Sequence, residues 1–184
     1  MKDFGQVIGP GTVRFERLLP GPIERVWSFL TDSEKRATWL AGGDMNPHPG
    51  AHVELVFRNS SLTPNDDPAP PKYAEMEDEA RMQGRVIACD PPRLLTLSWG
   101  EASGNDSEVT FELSPEGEKT RLVLTHRRLD RRDDMLSVAG GWHTHLGILA
   151  DRLAGREPEG FWRTHTRLER EYDRIVPAEV GAAP

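Results

Sequence analysis

The chain is poor in the residues that announce chemistry. Its 184 residues include one cysteine, Cys89, so no intrachain disulfide can form and a cysteine-built metal centre is excluded. That usage fits a reducing compartment, and the cytoplasm is the expected location. No apolar run approaches the roughly 20 residues needed to cross a bilayer, so no membrane partner is expected. The opening MKDFGQVIGPG has no apolar h-region, so no signal peptide is expected. A net charge of -7 argues against a general nucleic-acid binder, which needs Lys and Arg in excess on one face. There is no G-x-S-x-G elbow, no phosphate-cradling G-x-x-x-x-G-K-[ST] and no H-E-x-x-H. Cys89 sits beside Asp90, whose charge would raise a thiol pKa and make it a poor nucleophile.

Alternation and helical spacing are what the chain does have. Met1 to Gly11 reads as a loose end. Thr12–Leu19 reads as a strand, closed by Pro20-Gly21-Pro22. Ile23, Val26, Trp27 and Leu30 then recur at i, i+3, i+4 and i+7, a short amphipathic helix that Pro22 is suited to open. Ser33 is placed to cap a second short helix, Glu34–Leu40. His52–Arg58 is the next strand. Residues 59–80 carry four prolines and the acidic run Glu75, Glu77, Asp78, Glu79, and read as a long, mobile, solvated loop, or more sharply as a lid over a binding site. Four strands follow, at Arg81–Cys89, Arg93–Trp99, Ser107–Leu113 and Thr120–His126, with Gly100–Asp106 as one of the turns. Their short connections make neighbours antiparallel, and their clean alternation gives one dry face and one wet face.

The clearest helix is Val138–Gly155, VAGGWHTHLGILADRLAG. Val138, Trp142, Leu146, Leu149 and Leu153 form its apolar stripe, with His143, Thr144, Asp151 and Arg152 mostly off it. A more polar helix follows at Phe161–Ile175, then a small-residue tail from Pro177 to Pro184. The order is strand, two short helices, five strands, long helix. The expected fold is α+β, a curved six-stranded antiparallel sheet wrapped around a long C-terminal helix. One domain is expected over 1–184, with a core at 12–155 and an extension helix at 161–175.

This order, with WSFLTD and a Trp-Leu pair, then RVIACDPPRLLTLSW, then GGWHTHLGILADRLAG, resembles the START-like, helix-grip superfamily. Within it the chain resembles the bacterial group named after the activator of heat-shock-protein-90 ATPase homologue. The resemblance implies a cavity between sheet and long helix that takes an apolar or amphipathic ligand. It also brings in a chaperone partner, a stress-response setting and, through some relatives of the superfamily, cyclase-like chemistry.

The side chains that would line such a gap are Trp142, Leu146 and Leu149 from the long helix, Phe57, Leu97, Trp99 and Phe111 from the sheet, and Trp27 and Trp39 from the short helices. Tryptophan weighs most, because a buried indole N–H wants a partner. His145, three residues after Trp142, is the candidate polar contact, and His145 or His126 the acid or base if the protein is an enzyme. His143 and His145 lie two apart on a helix, so they face away from one another and cannot chelate one metal. No cofactor and no metal is expected. A ligand carrier or sensor is the favoured function, ahead of a protein-interaction module and a cyclase-like enzyme. An edge strand or the last helix could pair two copies into a homodimer.

Overall fold

The computed structural model describes residues 3–100 and 107–178. The turn expected at Gly100–Asp106 therefore lies largely outside the described residues, as does most of the C-terminal tail. The strands are β1 (Gln6–Gly9), β2 (Thr12–Pro20), β3 (His52–Phe57), β4 (Ala80–Asp90), β5 (Leu94–Trp99), β6 (Ser107–Glu116) and β7 (Lys119–Arg127). The helices are α1 (Ile23–Thr31), α2 (Ser33–Arg36), α3 (Arg132–Leu153) and α4 (Phe161–Ile175). The strands form one antiparallel sheet in the order β1-β2-β7-β6-β5-β4-β3. The fold is α+β with a long C-terminal helix, and it has seven strands instead of six. The extra strand is β1, in the stretch that reads as a loose end. It is only four residues long and Ile8 on it is exposed, so its alternation carries no signal; it is held by antiparallel pairing to β2.

Three more boundaries differ. Residues 37–40 do not continue α2, and its cap is Asp32, which accepts the Lys35 N–H at 3.0 Å. A β-bulge between Val86 and Ala88 interrupts the alternation of β4, so Cys89 packs partly against the core; burial first, and then Asp90, raises its thiol pKa. The long helix begins at Arg132, six residues before its apolar stripe. Asp133 and Asp134 sit in its first turn, where negative charge complements the dipole.

The dry face of the sheet packs on α3, and α4 packs against α3 as well. Thr144 and His145 are buried along with Leu146. His143 is taken up by the N-terminal segment, its Nδ1 2.9 Å from Tyr172 Oη, which accepts the Gly5 N–H at 2.7 Å. Gly140 is where the two helices come close: a methyl there would stand 3.7 Å from the Glu169 backbone. Arg36 organises the turn after α1. Its buried guanidinium donates to the carbonyls of Leu30, Thr31, Ala41 and Gly43. Burial lowers its pKa to about 10, which leaves it charged at neutral pH.

Candidate binding cavity

The gap between sheet and α3 has two unlike compartments. The lower one is filled. Trp39, Leu97 and Phe111 are each buried to 3% exposure or less, and the void among them is about 10 Å3, about the space of one water-sized probe. The Trp39 indole donates to the Phe29 carbonyl at 2.8 Å, which satisfies the group that made it a ligand candidate. Leu146 and Leu149 are wholly buried and border neither space. Trp27 is half-buried on α1 and away from both.

The upper compartment is open, with a volume of about 250 Å3. Phe57, Met82 and Trp99 form its sheet wall. Val138, Gly141, Trp142 and His145 form its α3 wall. Tyr73 and Met76 close it from the 59–80 segment, and Phe161, Trp162 and His165 from α4. Of the ten side chains the sequence nominates, the structure brings four together here: Phe57, Trp99, Trp142 and His145. Gly141 helps to make the room. A Cβ added there meets nothing within 4 Å.

The 59–80 segment is not a loose, solvated loop but a strap fastened to α4. The first amides of a helix have no partner within it. Here Thr63 Oγ1 accepts the Phe161 N–H at 2.9 Å, Asp66 Oδ2 accepts the Trp162 N–H at 2.7 Å, and Asp66 Oδ1 accepts the Arg163 N–H at 3.2 Å. Gly160 is required for this approach, since a Cβ there would run into Asp66 Oδ1. Further along, Tyr73 donates to Glu169 at 2.6 Å and Lys72 pairs with the same carboxylate. The Tyr73 ring stacks on Trp162 with centroids 5.6 Å apart, and the Trp162 indole donates to Ser60 Oγ. The sequence hides these partners. Charge runs read as solvated surface, and Phe161-Trp162 stands at the head of an otherwise polar helix. The lid reading of the segment carried the one usable hint.

The histidines divide by hydrogen bonding. Trp142 Nε1–H can only donate, and it donates to His126 Nδ1 at 2.9 Å. His126 must then carry its proton on Nε2, which lies 2.8 Å from Ser107 Oγ, while Ser107 donates onward to the Trp99 carbonyl. The relay is closed and runs away from His126 Nδ1. Burial holds that ring neutral, with its pKa at about 3. Its Nε2 points its proton at Ser107 and cannot remove one. His145 Nδ1 donates to the Trp39 carbonyl at 2.7 Å, which leaves Nε2 as a lone-pair acceptor. Burial lowers its pKa to about 4.

Two polar atoms on the cavity-lining side chains have no partner among the described residues, Asn59 Oδ1 and His165 Nδ1. Unmet burial of this kind costs about 1–3 kcal/mol per group. Among the described residues no cluster of three His, Cys, Asp or Glu side chains is placed to hold a metal, and no helix is long and apolar enough to cross a membrane.

Comparison with known proteins places the architecture. Residues 20–154 match the family described as "Activator of Hsp90 ATPase homolog 1-like protein". The chain belongs to that family. With it comes membership of the START-like, helix-grip superfamily. The solution structure of the protein encoded by gene BPP1335 from Bordetella parapertussis is 47% identical, with a TM-score of 0.79 over 96% of this chain and 93% of that one. The crystal structure of CalU16 from Micromonospora echinospora is 23% identical, with a TM-score of 0.67 over 91% and 89%. CV1439 from Chromobacterium violaceum is 20% identical, with a TM-score of 0.57 over 78% and 97%. The last two share the fold. A search of curated proteins finds no match.

Proposed function

We propose that this family member binds a small, largely apolar molecule in the upper compartment, as a carrier or sensor. The cavity itself carries the reading. A space of about 250 Å3 walled by aromatic and aliphatic side chains exceeds the ~150 Å3 that holds a single benzene ring. It suits one ring with a short tail or two fused rings. Apolar burial at roughly 25 cal/mol per Å2 supplies the affinity. Phe57, Trp99, Trp142 and His145 then serve as ligand contacts, joined by Tyr73, Met76, Phe161, Trp162 and His165. The reading treats the 12–155 core and α4 as one functional unit, because both wall the cavity. It ranks ahead of a cyclase-like enzyme because the His126 ring is committed to Trp142 and Ser107, and burial lowers the His145 pKa to about 4, which makes its free Nε2 a weak base.

Native mass spectrometry of protein purified gently from its own host tests it. Extra mass that departs on denaturation is expected from the wild type and not from Gly141→Leu, whose side chain would fill the space while favouring the helix. Bare chain mass, together with no uptake of an apolar probe such as naphthalene, would contradict the reading. It would turn attention to a chaperone-directed surface.

A further inference from the structure

The strap over the cavity is fastened unevenly. Its first part, as far as Asp67, is pinned along its length. Trp162 donates to Ser60, Arg152 to the Leu62 carbonyl, the first amides of α4 to Thr63 and Asp66, and Arg163 to Asp67. The far foot is held too. Arg58 and Glu79 pair at 2.7 Å across the base, beside the Phe57–Ala80 end of the β3–β4 ladder. Between Asp67 and Glu79, the hydrogen bonds to the rest of the described residues converge on one spot. Glu169 accepts from Tyr73 at 2.6 Å and from Lys72 at 2.7 Å, and Ser137 of α3 lies beside the Tyr73 hydroxyl.

This middle stretch is built to move as one piece. Pro68, Pro70 and Pro71 fix φ at three of its first four residues, which makes a stiff arm. The short helical segment Pro71–Met76 then carries the two side chains that reach the cavity, Tyr73 and Met76. Glu75, Glu77 and Asp78 are exposed and stay in water whichever way the arm lies. Beneath the arm is the mouth. Met76, Met82, Trp99 and Val138 keep partial exposure there, while Phe57, Trp142, His145 and Phe161 are buried deeper in the cavity. A guest entering at that mouth passes the tip of the strap.

We infer that residues 68–78 form a gate, latched by Tyr73 and Lys72 on Glu169, and that release of this latch admits and discharges the ligand. This rests on the reading of the cavity as a ligand site and adds its entrance. A latch made in both the empty and the filled protein has a distinct signature. Removing it destabilises the closed form equally with and without ligand. Entry and exit then speed up together, and the affinity holds.

Line shapes of the tryptophan indole N–H signals, recorded while 2-naphthol is titrated into the 15N-labelled full chain, give both rates and the affinity. Glu169→Ala removes the acceptor of both latch bonds and leaves the cavity wall in place. It is expected to raise the association and dissociation rates together by about tenfold, the worth of one hydrogen bond to a charged group, with Kd within about twofold of wild type. Lys72→Ala, on the exposed side of the latch, is expected to raise both by about twofold, as loss of a surface ion pair would. Unchanged rates in Glu169→Ala would overturn the gate and leave the ligand reading standing. A change in one rate without the other, with Kd moved to match, would also overturn it, since Glu169 would then act on only the empty or only the filled protein. No saturable binding of 2-naphthol to the wild type would overturn the ligand reading and the gate with it. If Glu169→Ala does not fold, Lys72→Ala decides by the same criteria.

Discussion

The two compartments beneath the sheet are built from the same kinds of residue and end differently. In the lower one, Trp39, Leu97 and Phe111 meet at native packing and leave about 10 Å3. In the upper one, Phe57, Trp99 and Trp142 stand around about 250 Å3. The difference lies in what faces them. The lower aromatics are met by α1, by the turn that Arg36 knits together and by the middle of α3. The upper ones are met by a glycine on α3, Gly141, and by a strap and helix tip that touch one another more than they touch the sheet. An aromatic side chain becomes core where a neighbour reaches it and cavity wall where the neighbour is withheld.

The contrast can be broken from the lower side first. Trp39→Ala should cost about 3–5 kcal/mol, the range for deleting a large buried aromatic, read as a loss of midpoint in urea unfolding. Phe57→Ala, at the cavity edge and 9% exposed, should cost clearly less while weakening naphthalene binding. Equal losses would mean that the upper wall is core too.

Acid should act on both compartments together. The folded-state pKa values of His126 (about 3) and His145 (about 4) lie below the ordinary 6.5, chiefly through burial. Unfolded chains therefore bind more protons below pH 6.5. The contribution of these rings to stability is complete above that pH, falls as pH drops, and is lost below about 4 for His145 and about 3 for His126; it is worth up to about 3 kcal/mol for His145 and about 5 kcal/mol for His126. Urea midpoints at pH 7.5 and pH 5 should show the loss, and His145→Leu should flatten it.

Smaller effects sharpen the picture at the strap. Asp66→Ala strands two helix amides and should cost about 1 kcal/mol, with faster amide exchange at the start of α4. Lys72→Ala removes a half-exposed ion pair and should cost less than ~1 kcal/mol, leaving Tyr73 on Glu169.

How much of this was legible in the sequence follows from the same contrast. Periodicity is local, so it marked the sheet from Thr12 onward and the stripe on α3. It missed β1, whose four residues depend on β2 for their pairing, and the first turn of α3, whose acids look like solvated surface. For the site, it nominated apolar side chains that face inward. It could not say which of them meet a filler, because the fillers are brought in by long-range contacts. Trp39 and Trp99 look alike in sequence and lie in different compartments. Trp162, Tyr73, Asn59 and His165 were invisible as site residues because they sit in polar contexts, and their placement rests on Asp66 and Thr63 holding the end of a helix about a hundred residues away.

The tryptophans offer the most direct test, since each indole N–H is a separate reporter in a 15N-labelled sample titrated with 2-naphthol. The account expects the Trp99, Trp142 and Trp162 indole signals to move together along one saturable curve while those of Trp39 and Trp27 stay in place. Movement of Trp39 as large as that of Trp142, or no saturable movement of any, would contradict the division of this interior into a packed floor and an open binding cavity.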